Sequence, residues 1–207
     1  MELLDASLSE SIEHAARLLH AGEVVAYPTE TLYGLAVDPF NPDALARLFS
    51  AKGRAREKAI LLIVGGAAHL DRVTTGISPQ AQAYMDAFWP GPLSLLLPKH
   101  PDLPEALAPG LDRICVRCPG SAVARALCDA FGGPITSTSA NASGEAPVQR
   151  LTDLMLPDIA LGLDGGVLGN SKPSTIVDAE TGEVLREGAI GGARLVAIQG
   201  RIRQKGP

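Results

Sequence analysis

EVVAYPTETLYGLAVD, residues Glu23 to Asp38, begins as an apolar run and then turns abruptly polar. EVVAY reads as a buried strand. Just past it stand three hydroxyls (Thr29, Thr31 and Tyr33) and a carboxylate (Glu30), where a strand hands over to a loop. A hydroxyl both donates and accepts, so it suits either a backbone turn or a small polar ligand. The surrounding sequence has to decide between the two.

Upstream, Ser7 with Glu10 three residues on fits a capping box. Ile12, Ala15, Ala16, Leu18 and Leu19 recur at helical spacing, and Gly22 is a stop. Downstream, NPDALARLFSAKG repeats the logic: Asn41 caps, Pro42 fits the first turn and Gly53 ends the helix. AILLIV, LSLLL, RICVRC and PITSTS read as strands, with helices over SPQAQAYMDAFWPG and SAVARALCDAFGG. IALGLD, STIVD and EVLREG add short strands with little helix between them. Alternation early and strands late predict an α/β fold: a twisted mixed sheet with helices packed on it. The basic ending QGRIRQKGP reads as a frayed terminus before it reads as a tRNA-contacting tail.

The 207 residues fit one domain, and with aromatics at 4% the core is aliphatic. A net charge of −5 counts against a protein that neutralises nucleic-acid phosphates, although a local patch could override it. Three cysteines make no disulfide framework, which points to a reducing compartment. The N-terminus lacks the basic and apolar regions of a secretory signal, and AILLIVGGAAHL is too short and glycine-rich to span a bilayer. A cytoplasmic protein with no membrane contact is expected.

Several chemistries are missing. There is no phosphate-binding G-x-x-x-x-G-K-[ST] run, no dinucleotide fingerprint (GGVLGN does not match), no H-E-x-x-H and no G-x-S-x-G. Cys115 and Cys118 have C-x2-C spacing, but on a strand they face opposite sides and no second pair exists, so no metal site is expected.

Three clusters remain. AKGRAREK packs Lys52, Arg54, Arg56 and Lys58 between a helix end and a strand. The helix dipole explains Lys52, whereas the cations beyond Gly53 repel one another unless an anion joins them. In LDRICVRCPG, Arg113, Cys115 and Arg117 share one strand face and Ile114, Val116 and Cys118 the core face. The arginines point to solvent or to an anion; a wet sheet face explains them equally. PITSTSANASGEAP bunches Thr136, Ser137, Thr138, Ser139, Asn141 and Ser143, more than a turn needs. KPSTIVD adds Ser174 and Thr175, and VLREG adds Arg186. Hydroxyl-rich loops at strand ends with several cations suit a small polar substrate held beside a polyphosphate.

The series YPTETLYGLAVD, AKGR, PGPLSLLLP, RICVRCP, PITSTSANASG, PSTIVD and LREGAI resembles the YrdC-like threonylcarbamoyl-AMP synthases from about Val24 to Ile190. The resemblance implies a twisted sheet around a large concave cavity, in the short form of the family: a YrdC-like domain over 1–190 and an extension over 191–207. It implies synthesis of threonylcarbamoyl-adenylate and pyrophosphate from L-threonine, bicarbonate or CO2, and ATP with Mg2+, for a downstream tRNA threonylcarbamoyl-transferase complex. By the same resemblance Lys52 and Arg54 are catalytic, and Lys52, Arg54, Lys58, Arg113, Ser139, Asn141 and Arg186 bind ATP. Thr31, Arg117, Ser137 and Ser174 bind threonine, with Ser137 also near the nucleotide. The chain departs from the family pattern at Ala55, Ala59 and Glu187. Two rival readings are a non-catalytic binder of double-stranded RNA or tRNA, and an adenylating domain that uses carbamoyl phosphate.

Overall fold

The computed structural model describes residues 1–53, 58–169 and 171–205, with backbone alone at 199 and 201–205. Five helices and ten strands alternate as β1 (Glu2–Asp5), α1 (Ser9–His20), β2 (Val24–Pro28), β3 (Tyr33–Ala36), α2 (Pro42–Lys52), β4 (Leu61–Ile63), α3 (Pro79–Phe88), β5 (Leu93–Pro98), β6 (Arg113–Arg117), α4 (Ala122–Phe131), β7 (Ile135–Ser139), β8 (Ile159–Asp164), β9 (Thr175–Asp178), β10 (Val184–Arg186) and α5 (Gly192–Lys205). The strands form one mixed sheet ordered β1-β8-β2-β3-β7-β4-β6-β5-β9-β10. This is the α/β sheet with flanking helices that the sequence predicts.

Strand β2 is buried along its whole length because both its faces are covered. Val24 and Ala26 enter one apolar cluster with α2 and α3, while Val25 and Tyr27 enter a second with α1 and α4. Burying each such Val or Leu contributes roughly 1.5–3 kcal/mol. Across β5, β6 and β9 only the first cluster continues, through Leu93, Leu95, Leu97, Ile114, Val116 and Val177. Alternation sends Ser94, Leu96, Cys115, Arg117 and Ile176 to the other face. There Leu96, Cys115 and Ile176 keep part of their surface. That half-covered face is where the polar residues gather.

Four local expectations change. The Ser7–Glu10 capping box does not form: α1 starts after Leu8, and the Ser7 backbone N–H goes instead to Asp5 Oδ1 at 2.8 Å. Glu2–Asp5, assigned to no element from the sequence, forms β1, paired in parallel with β8. YGLA is strand β3, not loop, and forms an antiparallel hairpin with β2. The C-terminal segment is helical to Lys205 and packs on α3, with Leu195 buried and Arg194 stacked 5.3 Å over the Phe88 ring. The reading of α2 holds: Asn41 Oδ1 accepts from the N–H groups of Asp43 and Ala44, and Gly53 closes the helix at φ 55°. A Cβ there would be strained, so glycine lets the chain turn directly after Lys52.

Candidate functional site at the uncovered sheet face

The hairpin tip between β2 and β3 answers the question raised by its hydroxyls. Thr29 builds the turn: its Oγ1 donates to the Leu32 carbonyl at 2.6 Å and accepts the N–H groups of Thr31 and Leu32. Tyr33 is also structural, with its hydroxyl donating to the Gly166 carbonyl at 2.7 Å. Thr31 differs. Its Oγ1 lies 3.0 Å from Thr29 Oγ1 and accepts from Arg117 Nη1 at 3.3 Å.

Arg117, at the end of β6, is only 5% exposed. Of the two readings left open for it, solvent or an anion, its burial removes solvent, because the hairpin tip and the loop before β5 fold over it. Its Nε donates to the Gly91 carbonyl at 3.1 Å. Its Nη2 lies 2.6 Å from Glu30 Oε1, but the oxygen is off the N–H directions. The contact is thus an ion pair, and Nη2 has no aligned acceptor among the described residues.

Glu30 also accepts from the Gly120 N–H at 2.7 Å and the Ser121 N–H at 3.2 Å, at the start of α4. A helix N-terminus favours a carboxylate. Burial alone would raise the Glu30 carboxyl, yet Arg117 and the Gly120 N–H outweigh it and hold the group below the usual carboxylate range. Ser121 ties the helix to the hairpin, donating to the Pro28 carbonyl while its Oγ caps Ala124.

Beyond Arg117 on the same face lies a hydroxyl pair. Ser94 and Ser174, both buried, meet at 2.8 Å between their Oγ atoms. Arg186 Nη2 donates to Ser174 Oγ at 3.0 Å and to the Ser174 carbonyl at 2.9 Å. Burial, and after it the like charge of Arg117, lowers the Arg186 pKa from its usual value. Burial pushes the Cys115 thiol up to about 12 against the pull of Arg186 and Arg117.

The β7 end joins from the other side. Lys52, 3% exposed at the end of α2, donates to the carbonyl of Ser139 and to that of Asn141 at 2.8 Å, with Asn141 Oδ1 3.5 Å away. The Ser143 N–H returns to the Lys52 carbonyl at 2.9 Å. Tyr27, fully buried, donates to Ser137 Oγ at 2.7 Å. A Cβ on Gly34 would come within 3.0 Å of the Tyr27 ring, so glycine is needed for this phenol to reach β7.

The expected residues therefore fall into three groups. Lys52, Ser137, Ser139 and Asn141 assemble around β7, and Thr31 with Arg117 at the hairpin tip; Ser174 and Arg186 assemble beside Ser94. Arg113 faces the same side but is engaged by Asp178 and Glu180, about 13 Å of strand away from Arg117. Lys58 is exposed, and Arg54, Arg56 and Ala55 lie outside the described residues. A depression of about 620 Å³ opens at the β1–β8 end, lined by Leu3 to Ser7, Val123 and Asp164 to Gly166; none of the expected site residues lines it. Glu30, Ser94 and Tyr27 are missing from the sequence-based assignment. A lone serine inside the apolar run LSLLL was the signal for Ser94; nothing local distinguished Tyr27 from ordinary core.

A protein-family model, Sua5_yciO_yrdC, described as "Telomere recombination", matches residues 17–188. The chain is 37% identical to a threonylcarbamoyl-AMP synthase of Coxiella burnetii (strain RSA 331 / Henzerling II), covering 86% of this chain and 97% of the relative. It is 41% identical to a threonylcarbamoyl-AMP synthase of Alkalilimnicola ehrlichii, covering 84% and 94%. Among solved structures it is similar to P. abyssi Sua5 complexed with L-threonine, with a TM-score of 0.87, 31% identity and 93% of this chain covered. The match spans 58% of that longer chain. E. coli YciO shares the fold at a TM-score of 0.80 and 24% identity, covering 94% of this chain and 96% of its own.

Proposed function

The chain belongs to the Sua5/YciO/YrdC family, and on that premise we propose that it is a threonylcarbamoyl-AMP synthase, joining L-threonine, CO2 or bicarbonate, and ATP. The observation that supports this reading is the pairing of each distant cation with a hydroxyl-bearing segment: Arg117 with Thr31, Lys52 with the 137–141 turn, and Arg186 with Ser174.

The threonine amine adds to CO2, loses a proton to solvent and becomes a carbamate. A carbamate oxygen then attacks the α-phosphorus of ATP, and the bond to the β-phosphate oxygen breaks to release pyrophosphate. Both partners are anionic, so alignment and positive charge lower the barrier, with no covalent enzyme intermediate. Arg117 supplies the positive charge that favours the threonine carboxylate, from the buried end of β6. Thr31 Oγ1, which accepts from Arg117, keeps a second acceptor position for the substrate. Ser137 Oγ accepts from Tyr27, which leaves its own hydrogen to donate to the substrate. Ser174 and Arg186 close the recess.

Lys52 places its charge at the turn that cradles the phosphates, with Ser139 and Asn141. Arg54, outside the described residues, and the exposed Lys58 are the further ATP ligands of this reading, and Arg113 joins only by exchanging Asp178 and Glu180 for phosphate. Magnesium would be carried by the nucleotide, where it would offset phosphate charge beside Lys52; among the described residues no cluster of three His, Cys, Asp or Glu could hold a metal. A tRNA threonylcarbamoyl-transferase assembly consumes the product, and direct RNA contact is weak. Among the described residues no helix is long and apolar enough to cross a membrane.

Mass detection of an adenylate that requires threonine, bicarbonate and ATP together tests the reading. Turnover that survives omission of threonine overturns it, and salt-sensitive RNA binding without any adenylate replaces it with a binding role.

A further inference from the structure

We propose that Ser94 is a positioning residue: buried out of reach of any ligand, it holds the Ser174 hydroxyl in the orientation in which that group meets the substrate. This inference rests on the function proposed above and deepens it. Ser94 keeps none of its surface and Ser174 keeps 4%, so of the pair only Ser174 can touch a ligand. A hydroxyl inside the apolar run of β5 is costly unless it is hydrogen-bonded. Its partners are two side chains, the Ser174 hydroxyl at 2.8 Å and the Cys115 thiol. The other fully buried hydroxyls of the sheet serve the backbone. Thr136 Oγ1 accepts the Val37 N–H, while Thr175 Oγ1 donates to the Ile190 carbonyl and accepts the Ile190 N–H. Among the described residues Ser94 Oγ serves no backbone group, so holding the fold does not account for it.

The backbone of Ser174 is already held from one side. Its carbonyl accepts from Arg186 Nε at 3.1 Å and Nη2 at 2.9 Å, and the Ala189 N–H goes to the neighbouring Pro173 carbonyl at 2.9 Å. A Cβ on Gly188 would meet that Pro173 oxygen at 2.2 Å, so the 186–190 segment lies directly on the backbone of 173–175. What remains to be set is the side-chain rotor, which has three staggered positions. Two contacts choose among them, Arg186 Nη2 at 3.0 Å and Ser94 Oγ at 2.8 Å. Ser94 also ties this corner to the rest of the site. It stands one residue before Leu95, the partner of Val116 in the antiparallel β5–β6 pair, which sets it opposite Arg117. The hydroxyl pair therefore links the strand that carries Arg117 to the segment that enters β9.

Steady-state kinetics of adenylate formation, with threonine and ATP varied separately, test the assignment. Ser94→Ala should raise the KM for threonine about fivefold or more and leave the KM for ATP within about twofold. Ser94→Thr, which keeps the hydroxyl, should stay within about twofold of wild type for both substrates. Because Ser94 acts through Ser174, adding Ser94→Ala to Ser174→Ala should change the KM for threonine by less than about twofold. A merely structural serine would add its effect in full on that background, and this result overturns the proposal. An unchanged threonine KM in folded Ser94→Ala, or an equal rise for both substrates, overturns it too, while the functional reading stands. If Ser94→Ala does not fold, Ser94→Cys, similar in size but a weak donor, takes its place with the same expected and overturning results. Wild-type protein that forms no threonine-dependent adenylate overturns both this assignment and the proposed function.

Discussion

The Lys52 ammonium lies 2.8 Å from the Asn141 carbonyl oxygen, across 89 residues of sequence. One side chain thereby fixes the end of α2 to the turn after β7. Removing it in Lys52→Ala strips donors from two carbonyls as well as a charge from the phosphate edge. Pyrophosphate release should fall by about 100-fold or more, with unchanged far-ultraviolet circular dichroism and a stability loss of about 2 kcal/mol. Near-normal turnover would remove Lys52 from the phosphate assignment.

Arg117→Lys keeps the charge but loses the fork that reaches Gly91 and Thr31 at once. The KM for threonine should rise about tenfold or more, with the KM for ATP within about twofold. Steady-state kinetics with each substrate varied separately give the answer, and equal effects on both would place Arg117 outside the amino-acid recess.

Tyr27→Phe deletes a single donor to Ser137 Oγ in a fully buried setting. The cost should be about 1 kcal/mol, a Tm decrease of about 2–4 °C by calorimetry. Because Ser137 can then turn its hydrogen away from the ligand, kcat/KM should fall further than stability alone explains.

Acid should unfold the protein partly through Glu30. Its carboxyl is held below the usual range in the folded chain, so its ionised form adds stability that is complete above about pH 4.5 and disappears as pH drops through the lowered native value. Melting curves of wild type and Glu30→Gln should run parallel above that pH and converge below it. Parallel curves throughout would show that the Arg117 and α4 contacts contribute nothing net.

All three thiols should resist alkylation in the native protein. Burial raises Cys115 to about 12 and pushes Cys118 and Cys128 upward as well, leaving little thiolate at neutral pH. A brief iodoacetamide pulse at about pH 7.5 should give no adducts by intact mass, against three in guanidinium; a native adduct at Cys115 would mean the sheet face is more open than its packing indicates.

Periodicity and caps made much of the fold readable: Asn41, Pro42 and Gly53 mark α2 because their chemistry is local. Strands β1 and β3 escaped because their stability comes from β8 and β2, far away in sequence or across a turn, and β3 follows directly on a run of turn-forming hydroxyls. The cationic and hydroxyl clusters were visible as composition. Which of their members meet was not, since ion pairing diverts Arg113 to Asp178 and Glu180 and draws Glu30 to Arg117. Such pairings depend on strand order, which no short window of residues encodes.

Strand β7 is the seam of the sheet, zipped to β3 through Gly34 and Leu35 on one side and to β4 through Leu61 to Ile63 on the other. A nascent chain therefore emerges from the ribosome with two adhesive ribbons, β3 and β4, that stay bare until residue 139 follows them out. Conditions that slow translation between those points should expose the protein to clumping long before any substrate could bind.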